Sequence, residues 1–345
     1  MKKALVVSGG GSRGAFAVGV IKYLSQTFAL EYDVFVGTST GSLVVPLAAL
    51  GKLDALQDLY TSTNTSDIII KDNLGNRLSE NSIFRVTPLW ERIKSIYTDD
   101  FYEELMQSGK EIYINTTCLQ SEELVVFTNA ASPKESKYYR TKKIINGDHF
   151  RKAVLASACQ PVFMTPVMVN LNVPGEENPG FQFVDGGVRE YAGVEMAINA
   201  GAEEIFTILL ASTNPGINKE EFKTIFPILS QTMDIFITDV GDSDLIIPHQ
   251  YNQALKYIDA VKKKMQSEGI SLDDIKHYFN TEEIDNPFEN KVPLLIHIIQ
   301  PDSPLGGGPG GLDFIPAEMK GMLAKGEMTA ENYVASLNPG DVDWA

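Results

Sequence analysis

The sequence predicts an α/β protein in which a mostly parallel central sheet is sandwiched by helices. Two observations carry that prediction. At the start of the chain a short apolar run leads through a glycine loop into a helical pattern, and the same grammar repeats at once. Further on, two short apolar runs flank another helical stretch, the alternation from which parallel sheets are built.

In order, residues 4–7 read as the first strand and 15–24 as the first helix; 33–36 read as the second strand, 37–41 as a tight turn and 42–50 as the second helix. Pro46 falls inside that helix, where it removes one hydrogen bond. Residues 111–117 and 124–128 read as a hairpin joined by the polar turn 120–123. A helix is expected over 148–156 with Asp148 as its N-cap. Residues 181–184 and 205–210 are buried-strand candidates on either side of a helix over about 194–200. From 222 to 265 the pattern is mainly helical, with Leu255, Ile258, Val261 and Met265 on one face. A final strand, 292–299, precedes the glycine loop 306–311. One domain is expected over 1–345, with a core at 3–212 and a helical cap with C-terminal elements at 213–345.

Bulk properties exclude several functions. A formal net charge of −16 argues against nucleic acid as a partner and against steady adhesion to an anionic membrane, while leaving brief visits to a lipid surface open. The apolar run after Met1-Lys2-Lys3 ends at Ser8, far short of a signal peptide, and no stretch reaches the ~20 apolar residues of a membrane span. With only Cys118 and Cys159, no disulfide framework is expected, and a reducing cytoplasm is the expected location.

Three motifs carry the chemistry. Gly9-Gly10-Gly11-Ser12-Arg13-Gly14 aims bare backbone N–H groups at an anion; Gly37-Thr38-Ser39-Thr40-Gly41 is a G-x-S-x-G turn from strand to helix; Asp185-Gly186-Gly187 places a carboxylate at a strand end. Acyl transfer needs these three parts, because a serine hydroxyl is a weak nucleophile until a base takes its proton and donors stabilise the oxyanion. The first loop also fits G-x-G-x-x-G, so a dinucleotide-binding oxidoreductase is the alternative; against it, the second strand ends in Val36-Gly37-Thr38 and its acid, Asp33, lies at the start. Among four histidines, His297 comes late enough to be a third triad member. H-E-x-x-H is absent, and the clump Asp239, Asp242 and Asp244 lacks EF-hand spacing, so neither metal nor cofactor is expected. Phe222, Ile225, Phe226, Leu229 and Phe236 are acyl-pocket candidates, with helix core as the plainer reading.

On these motifs the chain resembles the patatin-like acyl hydrolases, a family that includes phospholipases A and lysophospholipases. The resemblance implies a patatin-like fold and a serine–aspartate dyad without histidine: Ser39 as nucleophile in an elbow flanked by Gly37 and Gly41, and Asp185 as base in a loop with Gly186 and Gly187. It implies an oxyanion hole in the loop of Gly9, Gly10, Gly11, Arg13 and Gly14, with the N–H groups of Gly10 and Gly11 as donors, a lipid or acyl-ester substrate and no cofactor. A non-catalytic lipid-binding relative is a further alternative. Similarity runs to about Ala211, with a block from Ala156-Ser157 to Pro166 and a late element at Asp313-Phe314-Ile315-Pro316. The chain departs from the family at Tyr191-Ala192-Gly193, where bacterial relatives often carry asparagine and then proline, and at Phe163, one place early.

Overall fold

The structure is a computed structural model that describes residues 1–338 except 73–76, 78, 135, 171–179, 218–220, 282, 290 and the side chain of Phe226. Its first half runs β1 (Lys3–Val7), α1 (Gly14–Phe28), β2 (Val34–Thr38), α2 (Thr40–Ala49), α3 (Leu53–Ser62), the short pair β3 (Ile70–Lys71) and β4 (Phe84–Arg85), α4 (Thr87–Ile96) and α5 (Asp99–Gln107). There follow β5 (Glu111–Cys118), β6 (Leu124–Thr128), β7 (Arg140–Lys143), α6 (Gly147–Ala158), β8 (Val167–Asn170), β9 (Gly180–Asp185), α7 (Val194–Asn199) and β10 (Glu204–Ile208). The chain closes with α8 (Ile225–Ser267), α9 (Leu272–Phe279), β11 (Leu295–Ile299) and α10 (Pro316–Ala335).

Nine strands form one sheet in the order β11-β10-β1-β2-β5-β6-β7, with β9 on β5 and β8 on β9, while β3 and β4 pair separately. Pairing is parallel from β11 through β5 and between β6 and β7, and antiparallel in β5–β6, β5–β9 and β8–β9. The fold is therefore the expected mostly parallel α/β sandwich. Side chains alternate across a strand, so Leu5 and Val7 enter one core while Ala4 and Val6 enter the other, and helices cover both faces. Residues beyond 212 do more than cap: β11 extends the sheet at its edge, and α10 packs along α1.

Two local expectations need correction. The helix at 147–158 is capped by Asn146, whose side chain accepts from His149 N at 2.8 Å, rather than by Asp148, which lies in the first turn. The apolar residues Phe222, Ile225 and Phe236 are exposed, while Leu229 packs on the main core. The side chain of Phe226 lies outside the described residues. No described helix is long and apolar enough to cross a membrane.

Candidate active site

Strand register brings the serine and the aspartate together. Thr38, the last residue of β2, lies opposite Asn115 on β5; the next residue of β5, Thr116, lies opposite Asp185 at the end of β9. Because β9 runs antiparallel to β5, its carboxyl end meets the turn that follows β2. Ser39 is the first residue of that turn.

The turn is strained. Ser39 holds φ 55° and ψ −124° as the N-cap of α2, a conformation that costs a non-glycine residue on the order of 1–3 kcal/mol. Its neighbours must be small: a Cβ on Gly37 would run into the backbone of Gly41, and one on Gly41 would overlap the Val7 carbonyl. Buried hydrogen bonds hold the strained residue in place. Ser157 on α6 accepts from Ser39 N at 3.0 Å and donates to Asn115 O at 2.6 Å. Ser42 donates to Ser39 O at 2.6 Å, and Asn115 Nδ2 donates to Thr38 Oγ1 at 2.9 Å. The Ser157 block thus anchors the turn, a role that its spacing alone did not reveal.

Ser39 and Asp185 are both buried. Burial pushes the Asp185 carboxyl up from its ordinary range to about 6, and hydrogen bonding from the Ser39 side chain and the Gly187 N–H offsets only part of that rise. The Gly187 contact measures 2.8 Å to Asp185 Oδ1. The carboxyl therefore sits against the serine hydroxyl with a proton affinity suited to exchange near neutral pH.

The first glycine loop closes the other side. A Cβ built on Gly9 would stand 3.0 Å from Ser39 Cβ, so the loop backbone lies directly over the serine. Gly9, Gly10 and Gly11 line the same cavity as Ser39 and Asp185, and the N–H groups of Gly10 and Gly11 meet no acceptor among the described residues. Arg13 and Gly14 are placed differently. The N–H of Arg13 donates to Gly10 O at 3.1 Å and that of Gly14 to Gly11 O, so both hold the loop's shape instead of pointing at a ligand. The Arg13 guanidinium donates to Gly306 O at 3.2 Å and to Gly308 O at 3.1 Å, tying the late glycine loop to the first.

The cavity measures about 1000 Å³. Its apolar lining includes Leu43, Leu59, Leu89, Ile93, Ile96 and Phe314, from α2, α3, α4 and the late element, and Ile235, Ile237 and Leu245 from α8. Of the five pocket candidates read from the sequence, Phe222, Ile225, Leu229 and Phe236 do not line it. Sequence periodicity located the helix, but not the neighbours that its faces meet.

Tyr191 is a cavity residue that motif reading left without a role. Its buried ring packs beside Gly9, its hydroxyl hydrogen-bonds to Ser8, and its N–H donates to Asp244 on α8 at 2.7 Å. The departure from the family pattern thus fills a gap between the first glycine loop and α8. His297 is not a triad member: it stacks on Phe206, bonds Tyr333 and Glu204, and does not line the cavity. Asp33 accepts from Lys3 N at the amino end of β2, remote in register from the glycine loop, which leaves a ribose site without its acid.

A family model described as patatin-like phospholipase matches residues 5–198, which include all three motifs. The chain is 26% identical over 110 residues to a cUMP-AMP-activated phospholipase of Escherichia coli, a match spanning 30% of this chain and 31% of that protein. Among solved structures it is similar to VipD from Legionella pneumophila, with a TM-score of 0.46, 12% identity, and coverage of 97% of this chain and 67% of that one. By the match to more than half its length, the chain belongs to the patatin-like phospholipase family.

Proposed function

We propose that this chain is a serine acyl hydrolase that cleaves lipid acyl esters of the phospholipase A or lysophospholipase type, using Ser39 as nucleophile and Asp185 as base. Family membership supports the broader statement, a lipid hydrolase. The observation that carries the finer one is the buried Ser39–Asp185 contact at the wall of a cavity with many apolar lining side chains.

In the proposed reaction Ser39 Oγ attacks the ester carbonyl carbon while Asp185 takes the hydroxyl proton. The negative charge on the carbonyl oxygen is stabilised by the N–H groups of Gly10 and Gly11. As the carbon–oxygen bond to the alcohol breaks, Asp185 returns its proton to the departing oxygen, leaving an acyl-serine. A water molecule then attacks the acyl carbon, Asp185 accepts the water proton and passes it to Ser39 Oγ, and the fatty acid leaves. The apolar cavity lining from α2, α3 and α4 suits the acyl chain.

Labelling with a fluorophosphonate, followed by mass mapping, tests the assignment. Modification confined to Ser39, together with loss of ester cleavage in Ser39→Ala and Asp185→Asn, is the expected result. An unmodified Ser39 would remove the hydrolase reading, and quenching of protein fluorescence by NAD(P)H would favour a dinucleotide enzyme instead.

A further inference from the structure

Helix α8 has two apolar faces, and only one is buried. Leu229, Met233, Ile237, Val240, Leu245 and Leu255 turn inward, and Asp244 fastens that side by accepting from Tyr191 N at 2.7 Å and Ala192 N at 3.2 Å. On the outer side Ile225 is 82% exposed, Ile228 49%, Ile235 56%, Phe236 60%, Ile246 53% and Ile247 71%. At ~100° per residue these six fall within an arc of roughly 120°, as two apolar patches, Ile225 to Phe236 and Ile246 with Ile247, between which exposed Asp239 and Ser243 share the same arc.

The first patch adjoins the cavity mouth. Ile235 belongs to both, and most of the other exposed cavity residues, among them Pro215, Gly216, Gln231, Thr238 and Asp239, lie on α8 or in the segment before it. No lysine or arginine occurs between residues 224 and 255, whereas Asp234, Asp239, Asp242 and Asp244 do. Exposed apolar patches beside a cavity mouth, with the outward carboxylates Asp239 and Asp242 and no cation, match a surface that is greasy and carries no net negative charge.

We infer that the outer apolar patches of α8 dock the protein on a zwitterionic phospholipid interface, bringing the cavity mouth against the lipid layer. The choice of a lipid surface over a second protein rests on the hydrolase reading, since a patch continuous with the mouth shortens the path of an acyl chain from the layer to Ser39. The helix lies in the plane of the interface with its apolar patches in the layer and the exposed carboxylates of Asp239 and Asp242 at the headgroup water.

Co-sedimentation of the full chain with phosphatidylcholine vesicles and with phosphatidylglycerol vesicles tests this directly. The unaltered protein is expected to bind phosphatidylcholine and to bind phosphatidylglycerol more weakly at low salt. The pair Phe236→Ser and Ile247→Ser, neither of which lines the cavity, is expected to lower partitioning by about tenfold or more. Cleavage of a water-soluble short-chain ester by that variant should stay at the wild-type rate, and so should its thermal unfolding. A second pair, Ile225→Ser with Ile246→Ser, guards against a local folding defect in the first.

Wild-type binding by both variant pairs would overturn the inference, as would failure of the parent chain to bind phosphatidylcholine. So would a concentration-dependent dimer, seen by analytical ultracentrifugation, that the substitutions dissolve. Ser39→Ala separates this inference from the proposed chemistry: it should sediment with vesicles as the parent does, so binding with no fluorophosphonate labelling of the parent would sink the hydrolase and leave the docking surface standing.

Discussion

Gly11 and Gly311 touch backbone to backbone, so closely that a Cβ on Gly11 would overlap the Gly311 carbonyl and one on Gly311 would overlap that of Gly10. Both hold positive φ, 58° and 71°, which favours glycine at each position independently of the contact. The loop proposed to bind the oxyanion is therefore buttressed by a loop about three hundred residues away in sequence, and the Arg13 guanidinium clamps the pair. Gly311→Ala is expected to displace the Gly10 and Gly11 N–H groups and lower kcat on a soluble ester by roughly 100- to 1000-fold, the usual effect of losing an oxyanion donor. Steady-state kinetics beside a thermal melt would check it; unchanged kcat in a folded variant would show that the buttress does not set the donors.

The pH dependence follows from Asp185. With its carboxyl pushed up to about 6, the ionised form that the proposed base role requires is lost as pH falls through that value, so kcat/KM should drop tenfold per pH unit below it. The stability effect has the opposite sign to that of a salt-bridged aspartate. Between the ordinary carboxylate range and about 6 the folded protein keeps a proton that the unfolded chain releases, so stability declines as pH rises through that window. Asp185→Asn cannot ionise and should be more stable than the parent at pH ~8, by on the order of 3 kcal/mol, while differing little at pH ~4. Urea unfolding at both pH values measures it, and an equal difference at the two would remove carboxyl ionisation as the cause.

Ser157→Ala should damage the fold and the site together. The substitution leaves Ser39 N without its acceptor and Asn115 O without its donor in a buried setting. Each such loss costs about 1–3 kcal/mol, so the midpoint of chemical unfolding should fall clearly. The strained Ser39 conformation should also relax, lowering fluorophosphonate labelling. Stability and labelling rates equal to those of the parent would show that the turn holds without this anchor.

Asp244→Ala tests how α8 is held. The carboxylate accepts the N–H groups of Tyr191 and Ala192, and burial pushes it up to about 6 despite those two bonds. Removing it leaves both donors unpaired and should expose the Tyr191 loop, read as faster amide exchange at Tyr191 and Ala192. Exchange unchanged at those two amides would mean that apolar packing alone seats the helix.

The central strands and the turn that carries Ser39 were legible in the sequence because each has a local cause. Residues 4–7 and the Val34-Phe35-Val36 core of the 33–36 strand are apolar runs stopped by glycines, and the elbow needs Gly37 and Gly41 wherever the rest of the chain goes. What stayed hidden depends on distant neighbours. The edge strand Arg140–Lys143 is too short and too charged to read as a strand, and gains its identity only by pairing with β6. The walls of the cavity arise from α2, α3 and α4, three helices whose mutual packing no periodicity specifies. Phe222, Ile225 and Phe236 have the composition of a pocket but face away from it.

Strand β5 changes partner between Asn115 and Thr116, leaving β2 and taking up β9. The spacing of hydroxyl and carboxyl is thereby fixed by one peptide unit inside a hydrogen-bonded ladder, where a slip of a single residue would turn Asp185 to the opposite face of the sheet. Loops at the rim, by contrast, can lengthen or be exchanged without disturbing that ladder. Such an arrangement lets evolution or a designer reshape which molecules are admitted while the atoms that meet them keep their mutual positions.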